Sequence, residues 1–213
     1  MKLARNSRTV FLLAGVVWLV AVGCGLRLVW TYENSPGRSG TPPTTWPTGS
    51  MIKRTPGLPT LLLFIHPHCP CSRATIGELA ILMAHSQGQV NASAVFVKPA
   101  GFEGWEKTDL WSSAADIPGV KLSIDENGLE ANRFQSETSG QIALYSAQGK
   151  LLFSGGITGS RGHSGDNDGR TAIQSLLAGD KAARTKTPVF GCPLVKDASN
   201  TELEEFCNAL HRK

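Results

Sequence analysis

Hydrophobic residues follow three different patterns along this chain. Residues 10–26 form an uncharged and almost wholly apolar run, and with the residues up to Trp30 it reaches the ~20 residues that a membrane-spanning helix requires. A segment rich in proline, glycine, serine and threonine follows. From residue 59 onward, short apolar runs alternate with segments whose apolar residues recur at helical spacing. The pattern predicts one transmembrane helix, one linker and one α/β domain.

The domain begins with a continuous apolar run at residues 60–66, which predicts a strand buried on both faces. Cys69-Pro70-Cys71 follows, and then a segment with helical periodicity that ends at Gly88. Further predicted elements are strands at 91–98 and 120–124, a short helix at 126–134, a hairpin with strands at 141–146 and 150–154, and a helix that includes 172–177. Strands that alternate with helices and end in a hairpin predict a three-layer α/β sandwich with a mixed sheet.

These patterns divide the chain into five regions. We expect a cytoplasmic N-terminus at residues 1–9, a transmembrane anchor at 10–30, a linker at 31–58, the α/β domain at 59–184 and a C-terminal extension with a helix at 185–213. The linker composition predicts a semi-extended spacer, although Trp46 fits either the domain surface or the lipid interface. Trp105 and Trp111 lie in an inserted segment and are interpreted as core or cap residues.

Charge orients the chain in the membrane. Of the net charge of +4, the whole excess lies in residues 1–50, which hold five basic residues and one acidic residue against sixteen of each in the rest. A domain without net charge gives no electrostatic case for nucleic acid binding. Lys2, Arg5 and Arg8 precede the apolar run, so the positive-inside rule predicts an inner-membrane, single-pass protein with a periplasmic domain.

Two other interpretations of the apolar run remain open. It fits a cleaved signal peptide, and it fits a lipoprotein signal in which Cys24 carries the lipid. Apolar residues continue past Cys24, which argues against both because polar residues normally follow a cleavage site. All three interpretations export the domain.

The chemistry of the domain is concentrated at Cys69 and Cys71. Pro70 suits the first position of a helix, which would make Cys69 the N-cap and Cys71 the second helical residue. Unsatisfied N–H groups at a helix start stabilise a thiolate, and we expect Arg73 to add positive charge. The pattern predicts that Cys69 is an exposed, ionised nucleophile for thiol–disulfide exchange.

These motifs resemble the thioredoxin-like superfamily, with residues 61–90 as the strand-cysteine-helix core and 141–154 as the terminal hairpin. The stretches HPHCPCSRATIGEL, LLFSGGITGSRGHSGDN and TPVFGCPL resemble the membrane-anchored thioredoxin-like proteins called RedB, over most of residues 28–195. The resemblance implies a redox role for Cys69 and Cys71. It also implies a substrate groove shaped by residues just before the hairpin, here Ser139 and Gly140.

The chain departs from the superfamily pattern in two places. One residue is missing between the two cysteines, so a Cys69–Cys71 disulfide would close a tight ring. The superfamily tends to have a proline, usually in cis, directly before the hairpin, whereas this chain has Thr138-Ser139-Gly140. The usual platform for substrate is therefore in doubt.

Copper binding is the alternative to redox chemistry. His66, His68, Cys69 and Cys71 are soft or borderline ligands within six residues, and His163 could serve as a remote ligand for copper. His66 and His68 also fit purely structural roles, such as a hydrogen bond to the backbone. The primary expectation is that the protein needs no cofactor.

The last two cysteines leave the pairing open. A Cys192–Cys207 bridge would close a loop of about sixteen residues, worth on the order of 3 kcal/mol in the chain-entropy model. Alternatively, Cys192 resolves a mixed disulfide on Cys69, because four exported cysteines permit three pairings.

Residues 155–170 concentrate glycines with charged side chains but lack the signature of a phosphate-binding loop. The loop is either a solvated connection or a border of the Cys69 groove that presents Arg161 and His163, together with His68 and Arg73, to a substrate. The function expected from the sequence is an extracytoplasmic thiol–disulfide oxidoreductase that acts on exported protein thiols or disulfides. The alternatives are a copper-binding assembly factor and a non-catalytic thioredoxin-like binding module.

Overall fold

The computed structural model describes residues 2–194, with the side chains of residues 2–6 left out. The chain divides into two compact units, Met1–Ser35 and Pro36–Lys213. The first unit is a single helix, α1 (Lys2–Glu33), whose apolar side chains are exposed. Among the described residues it is the one helix whose length and hydropathy suit a membrane span, over Ser7–Glu33, a property that signal sequences share. The predicted helix of the C-terminal extension and Cys207 lie outside the described residues.

The second unit contains a five-stranded mixed sheet. Its strands are β1 (Thr60–Ile65), β2 (Asn91–Lys98), β3 (Val120–Glu126), β4 (Gln141–Tyr145) and β5 (Leu151–Gly155), in the order β3-β2-β1-β4-β5. The first three strands are parallel, and β4 and β5 are antiparallel to their neighbours. This strand order confirms the predicted thioredoxin-like fold.

Four helices complete the domain: α2 (Ser72–His85), α3 (Asp109–Ala115), α4 (Leu129–Arg133) and α5 (Asp168–Leu177). The sequence patterns had not predicted α3. It is seven residues long and buries only Leu110 and Ala114, too few positions to produce a helical period. The Thr108 side chain caps it by accepting a hydrogen bond from the Trp111 N–H, and Trp111 packs on Phe96 with ring centroids 5.0 Å apart.

The sheet has a separate core on each face. Along β1, Leu61, Leu63 and Ile65 belong to one cluster, which also takes apolar residues of α2, α3 and α5. Leu62 and Phe64 point into the second cluster, which includes residues of α4. Because alternate residues of β1 enter different cores, all six of its residues are buried, as the continuous apolar run predicted. The central strand therefore holds the Cys69 motif on a rigid base.

Part of the expected spacer packs on the domain instead. Trp46 lies edge-on to Phe134 and Tyr145, with ring centroids 5.0 and 5.2 Å away, and its backbone N–H donates to the Gly149 carbonyl. The Tyr145 hydroxyl donates to the Pro43 carbonyl. A single large aromatic residue supplies apolar contact that the segment's composition did not suggest. Of the two places that the sequence left open for Trp46, it occupies the domain surface.

We expect Trp46→Ala to lower the free energy of unfolding by about 2 kcal/mol, less than the ~3–5 kcal/mol of a fully buried aromatic residue because Trp46 is half-buried. The matched control is Met51→Ala in the same segment, whose side chain is 65% exposed and whose loss changes stability by less than about 0.5 kcal/mol. Urea denaturation of the full-length protein in detergent measures both. Equal effects would show that Trp46 does not hold the segment.

Candidate active site

Cys69 lies between the end of β1 and the start of α2. Its N–H donates to the His66 carbonyl over 3.0 Å, and its own carbonyl accepts from the Ser72 N–H over 3.1 Å. The Arg73 N–H likewise donates to the Pro70 carbonyl. These bonds span three residues, so a tight turn precedes the helix. The predicted capping position is therefore corrected: Cys71 is the N-cap, and Cys69 precedes it by two residues.

The prediction that the Cys69 sulfur is exposed is wrong, since the residue has no accessible surface. Residues 187–194, here termed the cover segment, carry Cys192 to it. The Cys192 N–H donates to Cys69 Sγ over 3.3 Å, and the Cys192 thiol donates to the same sulfur. Polar groups of the protein thus face the sulfur in place of water.

Two serines continue this hydrogen-bond network. The Ser72 hydroxyl donates to Cys69 Sγ and lies 2.7 Å from the Ser139 hydroxyl. Either hydroxyl can be the donor between the two serines. Ser139 Oγ in turn accepts from the His66 N–H over 2.7 Å. The network runs from the end of β1 to the thiol.

These donors lower the pKa of Cys69 to about 5, because the hydrogen bond from the Cys192 thiol, and then those from Ser72 and the Cys192 N–H, outweigh the cost of burial. The pKa of Cys192 is raised, first by its hydrogen bond to Cys69 and then by burial. The pKa of Cys71 is also raised, by burial and by the charge of Cys69. Cys69 is therefore the thiolate at neutral pH.

Arg161 is the cation of the site, and Arg73 is not. The guanidinium of Arg161 hydrogen-bonds Cys71 and opposes the rise in the pKa of that thiol, and its Nη1 donates to the Gly191 carbonyl over 2.6 Å. Arg73 is exposed and pairs with Asp109 of α3, which holds the pKa of that carboxyl low. The glycine-rich loop thus brings Arg161 to Cys71, and its role in presenting Arg161 and His163 to a substrate stays a prediction.

Glu78 positions this loop. Its side chain is fully buried in α2, and its carboxylate accepts from the Gly165 N–H over 2.7 Å and from the Asn167 amide over 3.2 Å. Arg170 of α5 pairs with the same carboxylate. No local sequence pattern indicates this role, because an acidic residue at this position is typical of a solvated helix face.

The residues before the hairpin are covered by the chain itself. The Ser139 N–H donates to the Cys192 carbonyl and the Leu194 N–H to the Glu137 carbonyl, each over 2.8 Å, and Thr138 and Pro193 form an antiparallel bridge. No cis peptide bond occurs in the described part of the chain. Gly140 has a φ of +94°, which L side chains rarely adopt, and its N–H donates to the end of β1. Of the two predicted groove residues, Ser139 therefore contacts Ser72 and Cys192 beside Cys69, and Gly140 lies at the end of β1.

Among the described residues, the candidate ligands His66, His68 and His163 do not complete a metal site. The His68 ring contacts Trp105 with centroids 4.3 Å apart, and His163 Nδ1 lies 2.9 Å from the Arg161 carbonyl oxygen. Within residues 2–194, no three His, Cys, Asp or Glu side chains are grouped so that they could hold a metal ion. The donor set proposed for copper (His66, His68, Cys69, Cys71 and His163) therefore gains no support from the geometry. The Cys192–Cys207 bridge stays a prediction, since Cys207 lies outside the described residues.

Comparison with known proteins supports the fold. No protein-family model matches this chain, and no curated protein matches it in sequence. An uncharacterized conserved protein from Geobacillus kaustophilus is 18% identical, with a TM-score of 0.55, over 78% of this chain and 94% of that one. A hypothetical protein from Sinorhizobium meliloti 1021 is 19% identical, with a TM-score of 0.54, over 77% and 96%. A thioredoxin-like protein solved in its oxidized form is 16% identical, with a TM-score of 0.45, over 70% and 97%.

We expect Ser72→Ala to raise the pKa of Cys69 by about one unit, because a hydrogen bond to a charged group contributes ~1.5–3 kcal/mol and one unit corresponds to ~1.4 kcal/mol. Absorbance of the thiolate at 240 nm during a pH titration measures the change. The control is Ser112→Ala, which removes an exposed hydroxyl of α3. A midpoint that Ser72→Ala leaves at about 5 would show that the hydroxyl does not act on the sulfur.

Proposed function

We propose that this protein is a membrane-anchored thiol–disulfide oxidoreductase in which Cys69 is the nucleophile. The observation that carries the proposal is the set of hydrogen bonds that stabilises the Cys69 thiolate at the start of α2. A structural cysteine has no need of such donors, since a buried thiol is stable in its neutral form. The thioredoxin-like fold supports the proposal, because it places the sulfur after a central strand that is buried on both faces.

The reaction is a pair of sulfur displacements. The Cys69 thiolate attacks one sulfur of a substrate disulfide, forms a mixed disulfide and releases the other sulfur as a thiolate. A second cysteine of the chain then attacks Cys69, which releases the reduced substrate and leaves a disulfide in the protein. Two electrons pass from the protein dithiol to the substrate, and the reverse sequence oxidises a substrate dithiol.

Exported protein thiols or disulfides are the proposed substrates. The charge distribution supports this, because the basic residues before the apolar run of α1 favour a cytoplasmic N-terminus and a domain in the periplasm. Disulfide chemistry belongs to such an oxidising compartment. An inner-membrane anchor formed by α1 would keep the domain at the surface where exported proteins emerge.

The direct test of this function is reduction of insulin disulfides by the full-length protein in detergent, with dithiothreitol as the source of electrons. Cys69→Ser should lower the rate at least 100-fold, because a hydroxyl cannot form the mixed disulfide. Cys24→Ser is the matched control and should leave the rate unchanged, since Cys24 lies in α1.

Equal rates in the two variants would contradict the proposal. If the protein catalyses no exchange but holds stoichiometric copper that Cys69→Ser removes, the copper-binding alternative is favoured. If neither property depends on Cys69 and Cys71, the domain acts as a binding module.

The anchor makes a separate prediction. The full-length chain should remain in the membrane pellet after extraction at alkaline pH, and its mass should equal that of the uncleaved, unlipidated chain. Cys24→Ser should not change either result. A wild-type mass equal to residues 24–213 plus a lipid, which Cys24→Ser abolishes, would show a lipoprotein instead, and a wild-type mass without the N-terminal segment and without lipid would show a signal peptide.

A further inference from the structure

The cover segment lies across the site in the manner of a bound peptide. Its residues 192–194 run antiparallel to residues 137–139 and exchange backbone hydrogen bonds with them. Gly191 allows the close approach, since a Cβ at this position would lie 2.0 Å from the Ser139 carbonyl oxygen. The Val189 and Leu194 side chains on either side are buried. The segment therefore has a defined register on the domain, and that register brings Cys192 to Cys69.

Cys192 and Cys71 differ in how they face Cys69. Both the N–H and the thiol of Cys192 are directed at the Cys69 sulfur. Cys71 is two residues away along the chain, at the N-cap of α2, and its thiol hydrogen-bonds both Cys69 and Arg161, but its backbone N–H does not face the Cys69 sulfur as that of Cys192 does. A Cys69–Cys71 bond would have to form across a single proline within the opening turn of the helix.

We propose that Cys192 is the resolving cysteine, and that the cover segment is an internal substrate whose sulfur forms a disulfide with Cys69 in each catalytic cycle. This inference rests on the proposed oxidoreductase function and names its second redox residue. Cys71 is left as a neighbouring thiol that turnover does not require.

Resolution by Cys192 is a sulfur displacement at Cys69 Sγ. The cover segment lifts at residues 190–194, and the Cys69 thiolate forms a mixed disulfide with the substrate. The segment then returns, and the Cys192 sulfur attacks Cys69 Sγ as a thiolate. The Cys69–Cys192 bond forms, the bond from Cys69 to the substrate breaks, and the substrate leaves with the electron pair and takes up the proton that Cys192 has lost. An external dithiol reduces the Cys69–Cys192 disulfide and restores the starting state.

The protonation states follow the same order. While Cys69 is a thiolate, the Cys192 thiol donates a hydrogen bond to it, and this favours the neutral form of Cys192. Once Cys69 is in a mixed disulfide, its charge and its power to accept that hydrogen bond are lost. The hydrogen bond and the charge of Cys69 then no longer raise the pKa of Cys192, so its thiolate forms more readily at this stage than before.

The test is to treat the reduced full-length protein in detergent with oxidised glutathione and to map the disulfides by mass spectrometry. The wild type should show a Cys69–Cys192 link and release two molecules of reduced glutathione. Cys192→Ser keeps a donor toward Cys69 but cannot resolve, so its Cys69–glutathione adduct should accumulate at least tenfold over the wild type. Cys71→Ser, the matched control, and Cys207→Ser should both give the wild-type link.

Other outcomes overturn one proposal or the other. A wild-type Cys69–Cys71 or Cys192–Cys207 link, with an adduct that accumulates in Cys71→Ser and not in Cys192→Ser, contradicts the role of Cys192 and leaves the oxidoreductase function intact. If no variant forms a glutathione adduct or a disulfide at Cys69, the oxidoreductase function itself is contradicted. Cys192→Ala is a second variant that removes the thiol. A Cys69–glutathione adduct in both Cys192 variants shows that Cys69 remains reactive without the Cys192 thiol.

Discussion

A sulfur anion without contact to water persists only if other hydrogen-bond donors replace the water that it has lost. Cys69 meets this condition with donors from two directions: Ser72 on the α2 side and Cys192 on the cover segment. Neither source alone surrounds the sulfur. The domain therefore has to bring the start of α2 and the distant cover segment to one sulfur atom. The loops around the site hold these two parts in place.

The loops around the site show how this is done. Glu78 inside α2 holds the glycine-rich loop, and that loop carries Arg161 to the cover segment. A carboxylate with no exposed surface is costly unless it is paired, and here an arginine and two N–H donors pair it. On the opposite side, Ser139 binds the cover segment through its N–H and reaches Ser72 through its hydroxyl. One residue thus joins both sources of donors.

Local sequence patterns predicted the elements whose formation depends on neighbouring residues. The apolar run of β1, the hairpin and the helix after Cys71 each follow from short-range periodicity. Three features depend on distant contacts: local patterns left the place of Trp46 and the partner of Cys192 open among alternatives, and they did not indicate the role of Glu78. Trp46 binds a surface that only the folded sheet creates, Glu78 is paired with residues about ninety positions away, and Cys192 reaches Cys69 across 123 positions. The burial of Cys69 was not predicted either, because it also depends on the distant cover segment.

The charge state of one sulfur is the central claim, and the most direct measurement of it is a pH titration of the Cys69 Cβ resonance in full-length protein labelled with ¹³C-cysteine. The resonance can be assigned by its loss in Cys69→Ser. We predict a transition with a midpoint at about 5. A midpoint near 9.0, the pKa of an unperturbed thiol, would contradict the account, because Cys69 would then be an ordinary thiol without stabilising donors.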